Sequence, residues 1–340
     1  MRLKISSLVC AAVFCTSLAW AQGADLGLTA YNNGDYTKAV SEWRRTAELG
    51  DMAAQYNLGF MYERGLGVYR NYEEAVRWYR LASDQGYARA QNNLGFMYEH
   101  GRGLPQDYGQ AVSLYGLSAG QGDPRAQGNL GFMYERGLGV VQDYTEAARL
   151  YRLSADQGNS WTQNALGYLY EKGLGVSQNY EEAARLYRLS SDQGDPRAQG
   201  NLGLMYAQGN GVSQDYQEAI RLYRLAVDHG DARAQNNLGF MYERGRGVPQ
   251  DYQEALRLYR LSAEQGNSLA QGNLGFMYAK GNGVSQDYLT AYMWLNIAMS
   301  LGNDDVIEAR DAIAQYLSQD DLVRAQSMTH TCVSNHYKGC

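Results

Sequence analysis

Four histidines and four cysteines are all that 340 residues contain. So few histidines, and so scattered, exclude a metal or acid–base site repeated along the chain. Neither a Gly-x-Ser-x-Gly elbow nor a His-Glu-x-x-His helix is present. No strand, glycine loop and helix combine into a phosphate site, because the Gly-x-Gly pairs follow helical patterns and read as turns. The sequence therefore nominates no catalytic residue, no cofactor and no metal. Charge of one sign is also scarce: 36 acidic against 30 basic residues leave a net charge of −6. That balance argues against nucleic acid as a partner and gives no attraction to a membrane surface.

Long apolar runs are missing too. The one that stands out, Leu8 to Leu18, is too short to cross a bilayer. Arg2 and Lys4 precede it and Ala19-Trp20-Ala21 follows, the pattern of a secretory signal peptide over residues 1–21 with cleavage after Ala21. The remaining chain is expected to be periplasmic or secreted, without stable membrane insertion. Cys10 and Cys15 leave with the signal, so Cys332 and Cys340 are delivered to an oxidising compartment and are expected to form a disulfide. Closing so small a loop contributes roughly 2–3 kcal/mol in the chain-entropy model. The alternative use of that segment, zinc on His330, Cys332, His336 and Cys340, loses to oxidation there.

What the sequence has in abundance is one sentence, repeated. Leu58-Gly59 returns at Leu94-Gly95, Leu130-Gly131, Leu166-Gly167, Leu202-Gly203, Leu238-Gly239 and Leu274-Gly275, always 36 residues on. A period in this range means stacked supersecondary units, each burying its apolar face against its neighbours. In the unit from Asp51 to Gly86, Ala54, Leu58, Met61 and Tyr62 form the stripe of a first helix, A, which Gly65 ends. Asn71 opens a second helix, B, with Glu74 three residues later in a capping-box pattern. Tyr72, Ala75, Val76, Tyr79 and Ala82 supply its stripe. Gly59 and its copies lie inside helix A, where each glycine costs about 1 kcal/mol relative to alanine. The invariant Ala75 column on helix B suggests the compensation: small residues facing each other allow close backbone approach.

The pattern A-x-x-x-L-G-x-x-Y-x-x-G-x-G-V, followed by a polar cap, Tyr, Glu and Ala, resembles the Sel-one-like repeat, a relative of the tetratricopeptide helix-turn-helix array. The resemblance covers residues 52–303 as seven 36-residue units. It implies an all-α, right-handed α-solenoid of antiparallel helix pairs. Residues 22–51 look like tetratricopeptide-like capping helices, with Ala30, Tyr31, Gly34, Tyr36, Ala39, Val40 and Trp43 in place. Residues 304–340 look like C-terminal capping helices, from about Asp304 to Leu317 and Asp320 to His330, carrying the cysteine pair.

The resemblance further implies a non-catalytic scaffold that binds a protein or extended peptide on the concave face lined by the A helices. Two columns off the packing stripe are the candidates for that face. One is Phe60, Phe96, Phe132, Tyr168, Leu204, Phe240 and Phe276. The other, four residues later, is Arg64, His100, Arg136, Lys172, Gln208, Arg244 and Lys280, so each aromatic stands beside its own polar or basic residue. A third position varies from Tyr56 and Asn92 to Gly128, Asn164, Gly200, Asn236 and Gly272. Together they suggest an aromatic floor with a basic edge, suited to an acidic peptide. The opposing reading has the aromatics packed between successive A helices and Arg64 and its kin paired with Glu63 and its kin. Asn57 and its copies at 93, 129, 201, 237 and 273 are expected to bond a neighbouring repeat. An enzymatic alternative follows from the cysteine-rich branch of the same family, linked to β-lactam binding and hydrolysis; that branch carries cysteine pairs within its repeats, and this chain carries none there. Nothing in the sequence sets an oligomeric state.

Overall fold

Each copy of the repeated sentence folds into two helices of 12 or 13 residues joined by a glycine turn. The structure, a computed structural model, describes residues 26–340; the signal-peptide reading of 1–21 lies outside the described residues. Among these, every regular element is helical. Helix α1 is described over 26–32 and α2 is Tyr36–Glu48. The A helices are α3 (Met52–Arg64), α5 (Ala88–His100), α7 (Pro124–Arg136), α9 (Ser160–Lys172), α11 (Pro196–Gln208), α13 (Ala232–Arg244) and α15 (Ser268–Lys280). The B helices are α4 (Tyr72–Asp84), α6 (Tyr108–Gly120), α8 (Tyr144–Ala155), α10 (Tyr180–Asp192), α12 (Tyr216–Asp228), α14 (Tyr252–Ala263) and α16 (Tyr288–Ser300). A short 3-10 turn (Asp304–Val306), α17 (Ile307–Ala314) and α18 (Gln319–Ser334) complete the chain. The last helix runs four residues beyond the sequence expectation. Contacts divide the described residues into two compact units, one running to Thr162 and including Leu174–Val176, the other Gln163–Gly173 with Ser177–Cys340. Each unit is a stack of antiparallel helix pairs.

The turn between A and B is dictated by glycine. Gly65 caps α3 in the left-handed region at φ 70°, its N–H bonded to the Met61 carbonyl, a conformation that costs a Cβ-bearing residue about 1 kcal/mol or more. Gly67, also at positive φ, lies directly against the backbone of Tyr36 and Thr37 on the preceding helix, with no room for a side chain. Asn71 then accepts from the Glu74 N–H at 3.0 Å. Only this half of the expected capping box forms. The reciprocal donor, the Asn71 N–H, is already bonded to the Tyr62 carbonyl at 3.0 Å, and Glu74 turns instead to Arg77 at 3.2 Å.

The invariant glycine inside helix A has a different neighbour from the one its sequence suggested. A side chain at Gly59 would first meet the ring of Tyr79 and only then the Ala75 carbonyl. The glycine makes room for an aromatic ring as well as for a backbone. Tyr79, Tyr115, Tyr151, Tyr187, Tyr223 and Tyr259 are all essentially buried, so each gives the pair a large apolar contact. Five of them donate a hydroxyl hydrogen to a glutamate on the facing A helix: Tyr79 to Glu63, Tyr115 to Glu99, Tyr151 to Glu135, Tyr187 to Glu171 and Tyr259 to Glu243, at 2.6–2.8 Å. Unit five has Ala207 where the glutamate would be, and Tyr223 bonds to Asn237. Unit seven has lost both partners, with Leu295 facing Ala279.

Neighbouring repeats are tied by a second set of polar contacts. Gln55 donates to the Ala47 carbonyl and accepts from Gln85 at 2.7 Å; Gln91 with Gln121 and Gln127 with Gln157 repeat the arrangement. Where the outer glutamine is replaced, by His229 and by Leu301, the Oε1 atoms of Gln199 and Gln271 are buried without a hydrogen-bond partner. At the C-terminus α18 packs on α16, burying Ala325 and Cys332. Cys332 and Cys340 are joined as a disulfide with Cα atoms 5.6 Å apart, which removes both thiolates from the zinc alternative. Among the described residues no group of three or more His, Cys, Asp or Glu side chains could hold a metal ion, and no helix is long and apolar enough to cross a membrane.

Candidate functional site

Within the first unit the inner ends of three A helices and the start of α9 enclose an open groove of about 360 Å3. Helical spacing places Tyr56, Phe60 and Arg64 on one face of α3, and Asn92 and Phe96 on the matching face of α5. All five line the groove, with Glu63, Asn93, Arg125, Asn129, Asn159 and Trp161. Phe60, Phe96, Phe132, Phe240 and Phe276 are half-buried. One side of each packs against its unit's core. The other lies beneath the residue four positions on. Arg64 sits 5.6 Å above the Phe60 ring, Arg136 5.7 Å above Phe132 and His100 4.1 Å from Phe96. Each ring thus packs on the core by one face, as the packing reading expects, and of the five only Phe60 and Phe96 also line the groove.

Arg136 and Arg244 lie 3.5 and 3.6 Å from Glu135 and Glu243, and Lys172 lies 2.6 Å from Glu171. In each pair the cation is exposed while the glutamate is largely buried beneath it and also accepts a tyrosine hydroxyl. In the second unit Tyr168, Lys172, Phe240, Arg244, Phe276 and Lys280 repeat the aromatic–cation stacking on their own helices. Phe240 is covered twice, by Arg244 at 5.4 Å and Arg246 at 5.3 Å.

The asparagines form the groove's polar floor. Asn129 donates to Asn92 of the preceding repeat at 2.9 Å, Asn92 donates to Asn93, and Asn93 donates to the Tyr79 hydroxyl at 3.1 Å. Asn201 to Asn164 and Asn273 to Asn236 are the equivalents in the second unit. The expected bond to a neighbouring repeat is thus made. It also explains the alternation at the third position. Asn92, Asn164 and Asn236 accept these bonds, while Gly128 and Gly272 yield space to the next layer, to Trp161 and Thr162 in one case and to Val306 and Asn303 in the other. Gly200 faces open space, and nothing in the structure explains it.

Three groove residues escaped the sequence reading: Arg125, Asn159 and Trp161. Arg125 bonds to Asp123 at 3.3 Å and faces the Tyr56 hydroxyl, which helps hold its charge. Trp161 stands where Arg89, Arg125, Arg197 and Arg233 stand in other copies. Its ring lies 6.3 Å from Phe132 and edge-on to Tyr151 at 5.8 Å. Ala53 and Leu269 break that arginine column at its two ends, and Trp161, the one aromatic in it, was the available signal. The buried tyrosines carry raised hydroxyl pKa values, first through burial and then, for Tyr79, Tyr115 and Tyr151, through the neighbouring glutamate. They remain neutral donors to those carboxylates.

Comparison with known proteins places these features in a family. Sel1 repeat, a protein family, matches residues 53–87, 88–123, 124–159, 162–195, 196–231, 232–267 and 268–303. Among solved structures, a Sel1 repeat protein from Oxalobacter formigenes is 34% identical over 71% of this chain and 99% of its own, with a TM-score of 0.65. The protein c5321, a protective antigen present in uropathogenic Escherichia coli strains displaying an SLR fold, is 28% identical over 94% of this chain and 93% of its own, with a TM-score of 0.55. No curated protein sequence matches the chain.

Proposed function

The chain belongs to the Sel1 repeat family, whose members generally serve as protein-interaction scaffolds, and from that premise we propose that it binds an extended, acidic peptide segment along its A-helix face without catalysing a reaction. The observation that carries this reading is the groove over α3, α5 and α7. It offers half-covered aromatic rings for apolar anchors, an asparagine floor able to pair with a peptide backbone, and Arg64 and Arg125 at its edge. Pocket-lining aromatics beside arginines are the usual composition of binding hot spots.

A selection of displayed random peptides against the full chain tests it. Sequences with acidic residues around an aromatic or leucine anchor are expected to be enriched, and their binding to be lost in Arg125→Glu and weakened in Phe96→Ala, with Arg125→Glu unfolding at the same temperature as the parent. Enrichment indifferent to both substitutions would place the interaction elsewhere.

The scaffold acts outside the cytoplasm in this proposal. The signal-peptide pattern of residues 1–21, the Cys332–Cys340 disulfide and the likeness to a protective antigen support it. N-terminal sequencing of protein recovered from the periplasm or medium is expected to begin at Gln22; recovery of the full precursor from the cytoplasm alone would contradict it. The β-lactam alternative predicts turnover of a chromogenic β-lactam by pure protein, and none is expected.

A further inference from the structure

The outer face of the B helices carries a leucine in the same place on every unit but the last. In the second unit these are Leu189, Leu225 and Leu261, each 37–40% exposed; the first unit has Leu81, Leu117 and Leu153, exposed to 40–55%. Isolated surface leucines need no explanation. On α10, α12 and α14 of the second unit the leucine recurs at a 36-residue spacing among exposed charged positions such as Arg185, Arg188, Arg221, Arg224, Arg257 and Arg260, and so forms an apolar line.

The seventh unit contains the key to this line. Its equivalent residue is Ile297, which is completely buried. What covers that position is the chain's own α18. This helix does not continue the stack as another B helix. It lies on α16, and Cys332 and Met328 join Ile297, Met293 and Trp294 in one apolar cluster. Leu322, Ala325, Met328 and Cys332 make its inward stripe, spaced three, three and four residues apart, as an amphipathic helix requires. Beyond α18 the ring of Tyr337 lies against Gly266 in the turn that follows α14, while Leu261 on that helix is left exposed. On α14 itself a dimple of about 200 Å3 lies open among Leu256, Leu261, Arg257, Arg260, Gln253 and Glu264.

We propose that the leucine line of α10, α12 and α14 is a second docking surface, built to receive an amphipathic helix of the α18 type: a stripe of small and medium apolar residues with an acidic rim. The acidic preference follows from Arg224 and Arg260, each directly preceding its leucine. The established α16–α18 interface is the template, and the exposed line is its continuation onto units that have no helix of their own to cover them.

The test uses a fluorescent peptide of residues 318–334 with Cys332→Ala, titrated into the full chain by anisotropy, alongside the double variant Leu225→Lys/Leu261→Lys. Saturable binding is expected, weakened about tenfold or more in the double variant, whose thermal unfolding midpoint stays at the parental value. No binding to the parent, binding unaffected by the two lysines, or a lowered unfolding midpoint showing the leucines to be part of the fold would each overturn the proposal. Binding of the parent to anionic vesicles, lost with the same substitutions and without peptide binding, would assign the line to a lipid surface and overturn it as well.

Discussion

The hydroxyl of Tyr151 donates a 2.7 Å hydrogen bond to the Glu135 carboxylate, while its ring occupies the space that a side chain at Gly131 would need. One aromatic residue thus accounts for a glycine and a glutamate on the facing helix. Where Glu135 has no counterpart, at Ala207, the ring remains as Tyr223; where the ring is also gone, at Leu295, the alanine partner Ala279 remains uncharged. A buried carboxylate-bonded hydroxyl is kept as a pair or dropped from the acid side first, because a partly buried glutamate without its donor is the costlier orphan.

Tyr151→Phe is expected to destabilise the first unit by about 1.5–3 kcal/mol, the range for a hydrogen bond to a charged group. Tyr223→Phe, whose hydroxyl meets no carboxylate, is expected to cost about 1 kcal/mol or less. Urea unfolding of the two variants beside the parent checks the difference, and equal losses would refute the role given to Glu135.

Two glycine-to-alanine changes should move stability in opposite directions. A Cβ at Gly131 would lie 2.8 Å from the Tyr151 ring, so the gain in helix propensity is outweighed and a net loss of about 1–3 kcal/mol is expected. Gly116 lies in α6 with nothing within 4 Å of its would-be Cβ, and Gly116→Ala is expected to stabilise by roughly 0.5–1 kcal/mol. Thermal midpoints of the pair decide it.

His229→Gln restores the partner that the buried Gln199 Oε1 lacks. A gain of about 1 kcal/mol is expected, the net worth of one hydrogen bond supplied to a buried acceptor. Native-state hydrogen exchange at α11 should slow accordingly; unchanged exchange would mean that the glutamine ladder contributes nothing there.

Alkaline pH should unfold the array. The pKa values of Tyr79, Tyr115, Tyr151, Tyr187, Tyr223 and Tyr259 are raised in the folded state by burial. Above pH 10 the unfolded chain loses these protons while the folded chain keeps them, so stability is complete below that pH and falls as pH rises, by about 1.4 kcal/mol per pH unit for each tyrosine. Tyrosinate absorbance from these residues is expected to appear together with the loss of helical circular dichroism. Ionisation of all the tyrosines with the helices intact would contradict the assigned burial.

The helix boundaries and turns were legible because they depend on neighbours in sequence. Gly65 and Asn71 act through φ and through side-chain bonds three residues away, and the aromatic and basic columns follow from an i,i+4 offset. The return half of the capping box was misjudged for a tertiary reason, since the Tyr62 carbonyl takes the N–H that Glu74 would have bonded. Trp161 and Arg125 were missed because their place in the groove depends on residues one and two repeats away.

The 36-residue period by itself determined the number of units, their helix pairs and the existence of a recurring face, because local geometry repeats whenever its sequence repeats. Only the tertiary structure decided what each column faces. Gly59 answers to Tyr79, Asn92 to Asn129, and Ile297 to a helix that no other unit possesses. Contacts between layers are made at the edges of each repeat, where identical residues meet different neighbours, so the same position is core in one unit and open surface in the next.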